Sequence, residues 1–385
     1  MWFFILTAFF GIYCLMCCYI GRRGRQIIGK TGKFSKKLYW MFFGILLLMF
    51  PIAETAQIWL PQTLALGFSK AGWYTMIAVV YLCLILLIID TLRLLDRRIR
   101  FVPKVIREHA QTPKIVTSLI LVLVTITLTY GSWNARHPVI THYELSLDKE
   151  AGSLDQLRIA LVSDIHYGAI IDAPRLNKML EVINELQPDM IVMAGDIIDG
   201  TVKQEDSQTL INVFKQMHAN YGMFAVPGNH DRWARTDSDL VHDFKEAGIE
   251  VLRDSHIKID NSLYVIGRDD PGYHLEQRRK DLGELMQGID LSLPIILLDH
   301  QPIDLEAAED NGVDVQLSGH THMGQIFPGN LITEYLYPID WGLLTRGSYH
   351  LIVSSGYGTW GPPLRIGTKP EVVALTLKFK STPFR

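Results

Sequence analysis

The sequence predicts an α/β domain, two packed β-sheets with helices outside, preceded by four membrane-spanning helices. Two observations carry this reading. Every long apolar run of the 385-residue chain lies before residue 134, and beyond it short apolar runs alternate with amphipathic stretches. The 48% hydrophobic content is high for a purely soluble enzyme, and it is concentrated in that first third.

The runs Trp2 to Ile20, Leu38 to Leu60, Gly72 to Ile89 and Ile115 to Trp133 can each cross a hydrocarbon core ~30 Å thick as a helix. The first lacks the basic start and small-residue cleavage site of a signal peptide, so it reads as a retained span. The chain therefore divides into a transmembrane region, 1–133, and a catalytic domain, 134–385. Seven Lys and Arg lie between Arg22 and Lys37 and seven between Arg93 and Lys114, whereas the loop between spans two and three has only Lys70. Positively charged loops stay cytoplasmic, so the expected protein is a multi-pass cell-membrane protein with its catalytic domain on the extracytoplasmic side.

Charge is split the same way. From residue 134 onward 22 Lys plus Arg face 36 Asp plus Glu, a net −14, against +11 before it. An acidic outer domain is a poor partner for nucleic acid. Cys14, Cys17, Cys18 and Cys83 all fall inside predicted spans, so no disulfide framework holds the outer domain together.

Within that domain His142 to Leu147 alternates as a lead-in strand. Leu157 to Ser163, Met190 to Ala194, Gly222 to Val226, Pro294 to Leu298 and Val313 to Leu317 are short apolar runs that read as buried strands. The amphipathic stretches Pro174 to Leu186, Asp206 to His218, Asp237 to Glu246 and Leu305 to Glu309 are spaced as helices between parallel strands. His256 to Gly267 turns about Asp260-Asn261 as a hairpin, and Tyr349 to Ser354 and Glu371 to Phe379 add further strands.

Five motifs follow in order: Asp164-Ile165-His166, Gly195-Asp196, Gly228-Asn229-His230-Asp231, His300 and Gly319-His320-Thr321-His322. Four of the five sit just after a predicted strand, where side chains far apart in sequence converge on one crevice. Each alone is an ordinary turn or a structural histidine; the ordered set is a metal site. Imidazole with carboxylate suits zinc, iron or manganese, whereas calcium takes oxygen ligands. An extended Asp164-Ile165-His166 would place both side chains on one side of the chain, and His320-Thr321-His322 likewise.

From Leu157 to Phe379 these residues resemble the signature of the calcineurin-like metallophosphoesterase family, in particular its membrane-linked, YkuE-like branch. The resemblance implies a four-layer αββα sandwich and two divalent metal ions, manganese, zinc or iron. Carried over by position, Asp164, His166, Asp196 and His322 would bind the first ion, with Asp196 bridging. Asn229, His300 and His320 would complete the second site. His230 would stand by the substrate phosphate as the general acid, oriented by Asp231. Two such cations clamp phosphoryl oxygens and lower the pKa of water towards ~7, so hydroxide is available for in-line attack.

The expected function is hydrolysis of a phosphoester or pyrophosphate on a lipid or lipid-linked substrate beside the bilayer. The alternative is a noncatalytic metal-binding receptor or scaffold. Asp199 reads equally as support for a ligand or a helix cap, and Arg365 as a surface arginine in preference to a phosphate contact. The aromatic segment Ile326 to Arg346 either meets lipid or packs the second sheet. Gly24 to Thr31 spells a phosphate-binding loop but lacks the strand and helix such a loop joins, and Glu54 alone is thin ground for transport.

Overall fold

The computed structural model describes residues 2–28, 33–56, 59–168, 170–199, 204–231, 237–272 and 279–381. It divides into one unit of Met1–Ser132 with Gly361–Pro363 and a second of Trp133–Trp360 with Leu364–Arg385.

The first unit is helical: α1 (Trp2–Ile28), α2 (Lys33–Ala56), α3 (Gln62–Ile99), α4 (Lys104–Glu108) and α5 (Thr112–Asn134). Among the described residues three stretches, Lys36–Ala56, Leu64–Ile99 and Thr112–Asn134, are long and apolar enough to cross a membrane. Their outward side chains, such as Ile45, Ile88 and Leu121, are exposed, as in helices whose solvent is lipid. Tyr13 and Cys17 of α1 pack against Phe50 of α2 and Val79 of α3. The expected third span, Gly72 to Ile89, is only the middle of α3. No Gly or Pro interrupts the leucine-rich stretch after Ile89, so the helix runs on through Arg93, Arg97 and Arg98 until Arg100 turns left-handed at φ 49°. Gly24 to Ile28 of the loop-like motif continue α1, and the rest of that motif lies outside the described residues.

The second unit holds two six-stranded sheets. The first runs β1 (Val139–Ser146), β12 (Glu371–Lys378), β2 (Gln156–Val162), β3 (Met190–Ala194), β4 (Met223–Val226), β5 (Ile249–Val251). The second runs β10 (Gly342–Arg346), β11 (Tyr349–Val353), β9 (Val315–Ser318), β8 (Ile295–Leu298), β7 (Leu263–Gly267), β6 (Ser255–Ile259). β2 to β5 are parallel to one another, as are β7, β8, β9 and β11.

Alternation along the strands sorts the core. Ile159 and Leu161 of β2, with Val192 and Val226, pack against Val265, Ile296, Leu317 and Ile352 of the other sheet. Their neighbours Ala160, Val162 and Met193 face the opposite way, against Leu176, Met179 and Ile183 of helix Ala173–Leu186 and Phe214 and Phe244 of two further helices. On the second sheet Ile266, Leu297 and Val353 pack against Leu282, Leu285 and Leu305. Strands buried on both faces are continuous apolar runs, which is why they were visible in the sequence. The hairpin between β6 and β7 has a three-residue connection, 260–262, with Asp260 and Asn261 both at positive φ and Ser262 N–H donating to Ile259 O.

Candidate metal centre

All five motifs begin within two residues of a strand end. Asp164 follows β2, Asp196 follows β3, Asn229 and His230 follow β4, His300 follows β8 and His320 follows β9. The two sheets thus contribute to one crevice. The route differs from the extended pairs expected. Asp164, His166, Asp196, His320 and His322 all have φ between 49° and 74°, a left-handed conformation that costs about 1 kcal/mol or more at a non-glycine residue. Turning, rather than pleating, brings both members of each pair inward. Backbone bonds hold the turns: Asp164 N–H donates to Gly195 O, and His166 N–H to Asp196 O.

Two ligand groups meet at Asp196. In the first, His166 Nε2 and His322 Nε2 are 3.1 Å apart, and His322 Nε2 is 3.4 Å from Asp164 Oδ1. In the second, His300 Nε2 lies 3.2 Å from Asp196 Oδ2 and 3.3 Å from His320 Nδ1. Asp196 Oδ2 is also 3.8 Å from His166 Nε2, so one carboxylate faces both groups. His300 Nδ1, 2.7 Å from Ala194 O, donates to that carbonyl and turns Nε2 toward Asp196 Oδ2; burial opposes a charge on the ring, yet the Asp196 carboxylate raises its pKa well above the usual value, and a bound cation would replace that proton.

Electrostatics suit a cation. Burial pushes the pKa of His166 and of His320 down to about 3, and that of His322 well below its usual value, so these rings are neutral. Burial opposes the charge on Asp196, yet His300 and its neighbours hold its carboxyl below the usual range. Asn229 Oδ1 is buried with no hydrogen-bond partner. A buried acceptor of this kind, beside neutral imidazoles and an ionised carboxylate, is the donor set of a divalent metal. The glycines make room: a Cβ at Gly228 would collide with Asp196 Oδ1, and one at Gly195, at φ 82°, with the His300 ring.

Residues 157–324 match the model of the calcineurin-like phosphoesterases. A transmembrane protein with metallophosphoesterase domain from Danio rerio is 30% identical over 353 residues, which cover 87% of this chain and 77% of the relative. An uncharacterized metallophosphoesterase of Aquifex aeolicus is 37% identical over 232 residues, 58% of this chain and 86% of the relative. The metallophosphoesterase YkuE of Bacillus subtilis is 31% identical over 232 residues, 58% and 80% of the two chains. The chain belongs to the calcineurin-like phosphoesterase family. Every predicted ligand of this phosphoesterase, from Asp164 to His322, lies within the matched residues, and its apolar helices together with a transmembrane relative mark it as membrane-associated.

The phosphoesterase site holds residues the sequence reading misjudged. Arg365, expected at the surface, is fully buried. Its guanidinium donates to the carbonyls of His322, Gly356 and Gly358 and lies 3.2 Å from His322 Nδ1. Five donors in a rigid fork fit this ring of acceptors. Asp231, expected to orient the His230 ring, has its carboxylate taken up by three backbone amides, those of Ile197, Ile198 and Gly228. Asp199, left undecided, is the carboxylate grouped with His230 and His166, their ligand atoms all within 4.8 Å. Gln325 was missed altogether: it clasps the Trp360 backbone at both N–H and C=O, and the Trp360 ring stands 5.8 Å from that of His230.

Proposed function

We propose that this phosphoesterase hydrolyses a phosphoester or pyrophosphate with two divalent ions, of manganese, zinc or iron. Asp164, His166, Asp196 and His322 would hold one, and Asn229, His300 and His320, sharing Asp196, the other. The observation that carries the reading is Asp196 Oδ2 facing both ligand groups, 3.2 Å from His300 and 3.8 Å from His166. When bound, the ions supply Lewis-acid charge and water activation.

The remaining work falls to the protein's own groups. His230 is half-buried at the edge of the centre, and its backbone N–H is tied to Asp196 Oδ1 at 2.8 Å. Its ring is therefore placed to give a proton to the leaving oxygen as the bond to phosphorus breaks. Asp199, within reach of His230, would keep that ring in the donating tautomer. Asp231 positions the loop by joining the turn after β3 to the turn after β4.

The three core clusters support a four-layer stack of helices, sheet, sheet and helices. With α1 as a further span, the basic segments at Arg22 to Lys37 and Arg93 to Lys114 would lie inside and the catalytic domain outside. A site held beside a bilayer suits a lipid or lipid-linked phosphoester.

The test uses detergent-purified full-length protein, stripped with chelator and reloaded with manganese, zinc or iron, on chromogenic esters and on phospholipid. Turnover should follow the metal and vanish in Asp196→Asn. His230→Ala should keep its metal and lose roughly 10²- to 10⁴-fold in kcat. Tight metal binding without turnover on either substrate class would favour the noncatalytic receptor instead.

A further inference from the structure

We propose that helix Gly329–Leu336 is a membrane-docking surface that seats the mouth of the metal centre on the lipid bilayer. Among its described residues none is buried, although half are large and apolar. Leu331, Ile332, Tyr335 and Leu336 are 55%, 60%, 88% and 65% exposed. They occupy one face of the helix, at spacings of one, four and five residues. The other face is fastened down. Thr333 Oγ1 donates to Asp340 Oδ2 at 2.6 Å, and Asp340 O accepts from Thr321 Oγ1, within the His320-Thr321-His322 turn.

The apolar face therefore stands beside the chemistry. The Tyr337 ring, one residue past the helix, is 5.9 Å from that of His320, and Trp360, 55% exposed, flanks His230. A soluble surface rarely concentrates such side chains without a partner. The bilayer is the occupant because the chain is already bound to it: only residues 135–138 separate the end of α5 from β1, a reach of roughly 14 Å fully extended. The domain's net charge of −14 argues that the contact is apolar, not a salt-dependent attraction to anionic headgroups. A helix in that position would let a lipid present its phosphate to the centre while its chains stay in the bilayer. Docking stands apart from catalysis, and only the substrate arm of the test rests on the phosphoesterase reading.

The test places a spin label at Ile332→Cys in full-length protein whose four cysteines are replaced, reconstituted in phosphatidylcholine nanodiscs. The label should be reached by oxygen and shielded from an aqueous nickel chelate, about 5–10 Å below the headgroups. It should stay there in phosphatidylglycerol and at about 0.5 M salt. A label at Lys178→Cys, on the solvent-facing side of helix Ala173–Leu186, supplies the aqueous reference. Nickel access at 332 equal to that at 178 overturns the proposal, as does dipolar broadening that marks a second copy on the helix. In proteoliposomes the Leu331→Ser, Ile332→Ser, Tyr335→Ser variant should raise KM for an embedded phospholipid roughly tenfold and leave a soluble ester unaffected. Because the depth measurement needs no turnover, an inactive enzyme with a buried label would refute the catalytic reading alone.

Discussion

At Arg365 one side chain carries the geometry of another. Its guanidinium is fully buried, it ties the backbone of His322 to the 356–358 loop, and burial lowers its pKa to about 10. Lysine would bring a single nitrogen to a place that uses several. Arg365→Lys should fold yet bind metal about 10- to 100-fold more weakly, the usual loss when a ligand's support is removed. Metal retained after dialysis against graded chelator reads this directly, and unchanged retention would reduce Arg365 to a packing residue. The ligands were legible in the sequence because Asp, Asn and His at successive strand ends are a chemical pattern. Arg365, Asp199 and Gln325 were not, because what decides their role is which carbonyl or ring the fold brings near them, and no local spacing records that.

Elements were legible to the degree that they are buried on two sides. β3 and β8 are apolar throughout, β2 carries its apolar residues at Leu157 and Ile159–Val162 and β9 at Val315 and Leu317, and all four were placed within a residue or two. β5 has three residues and β10 alternates at an edge with exposed Leu343, so neither produces a run long enough to notice. Helix Gly329–Leu336 was read only as an aromatic-rich segment, since an apolar face turned outward breaks the rule that amphipathic helices face the core. Glu371, first residue of β12, shows what joins the edges. Its buried carboxylate accepts from Ser355 N and Trp341 Nε1 through Oε1, and from Thr141 Oγ1 through Oε2. Glu371→Ala would leave the first two donors unpaired, at roughly 1–3 kcal/mol each if they stay dry. Glu371→Gln should cost far less, because its amide oxygen serves both N–H groups and the Thr141 hydroxyl can rotate to accept. Thermal melts in detergent should separate the two variants by several degrees, at roughly 2–4 °C per kcal/mol for a domain of this size. Equal melting temperatures would mean that water reaches the site.

For the whole molecule the governing quantity is the charge pattern around the apolar helices. The sequence showed the long apolar stretches but not where helices continue past them, because α3, 38 residues long, runs on from Asp90 to Ile99 through charged sequence with nothing to stop it. That continuation leaves the orientation argument intact: the basic residues still cluster in two segments, and one loop between them has only Lys70. In a cysteine-free background, Lys178→Cys on the phosphoesterase domain should react with a membrane-impermeant maleimide in intact cells. Lys36→Cys, in the first basic segment, should react only after permeabilisation. The reverse pattern would put the metal centre in the cytoplasm, where zinc, iron and manganese are buffered differently and the available phospholipids belong to the inner leaflet. Labelling of both sites in intact cells would point instead to an odd change in the number of spans between them, and α2, α3 and α5 would then need to be recounted before any substrate is assigned to a leaflet.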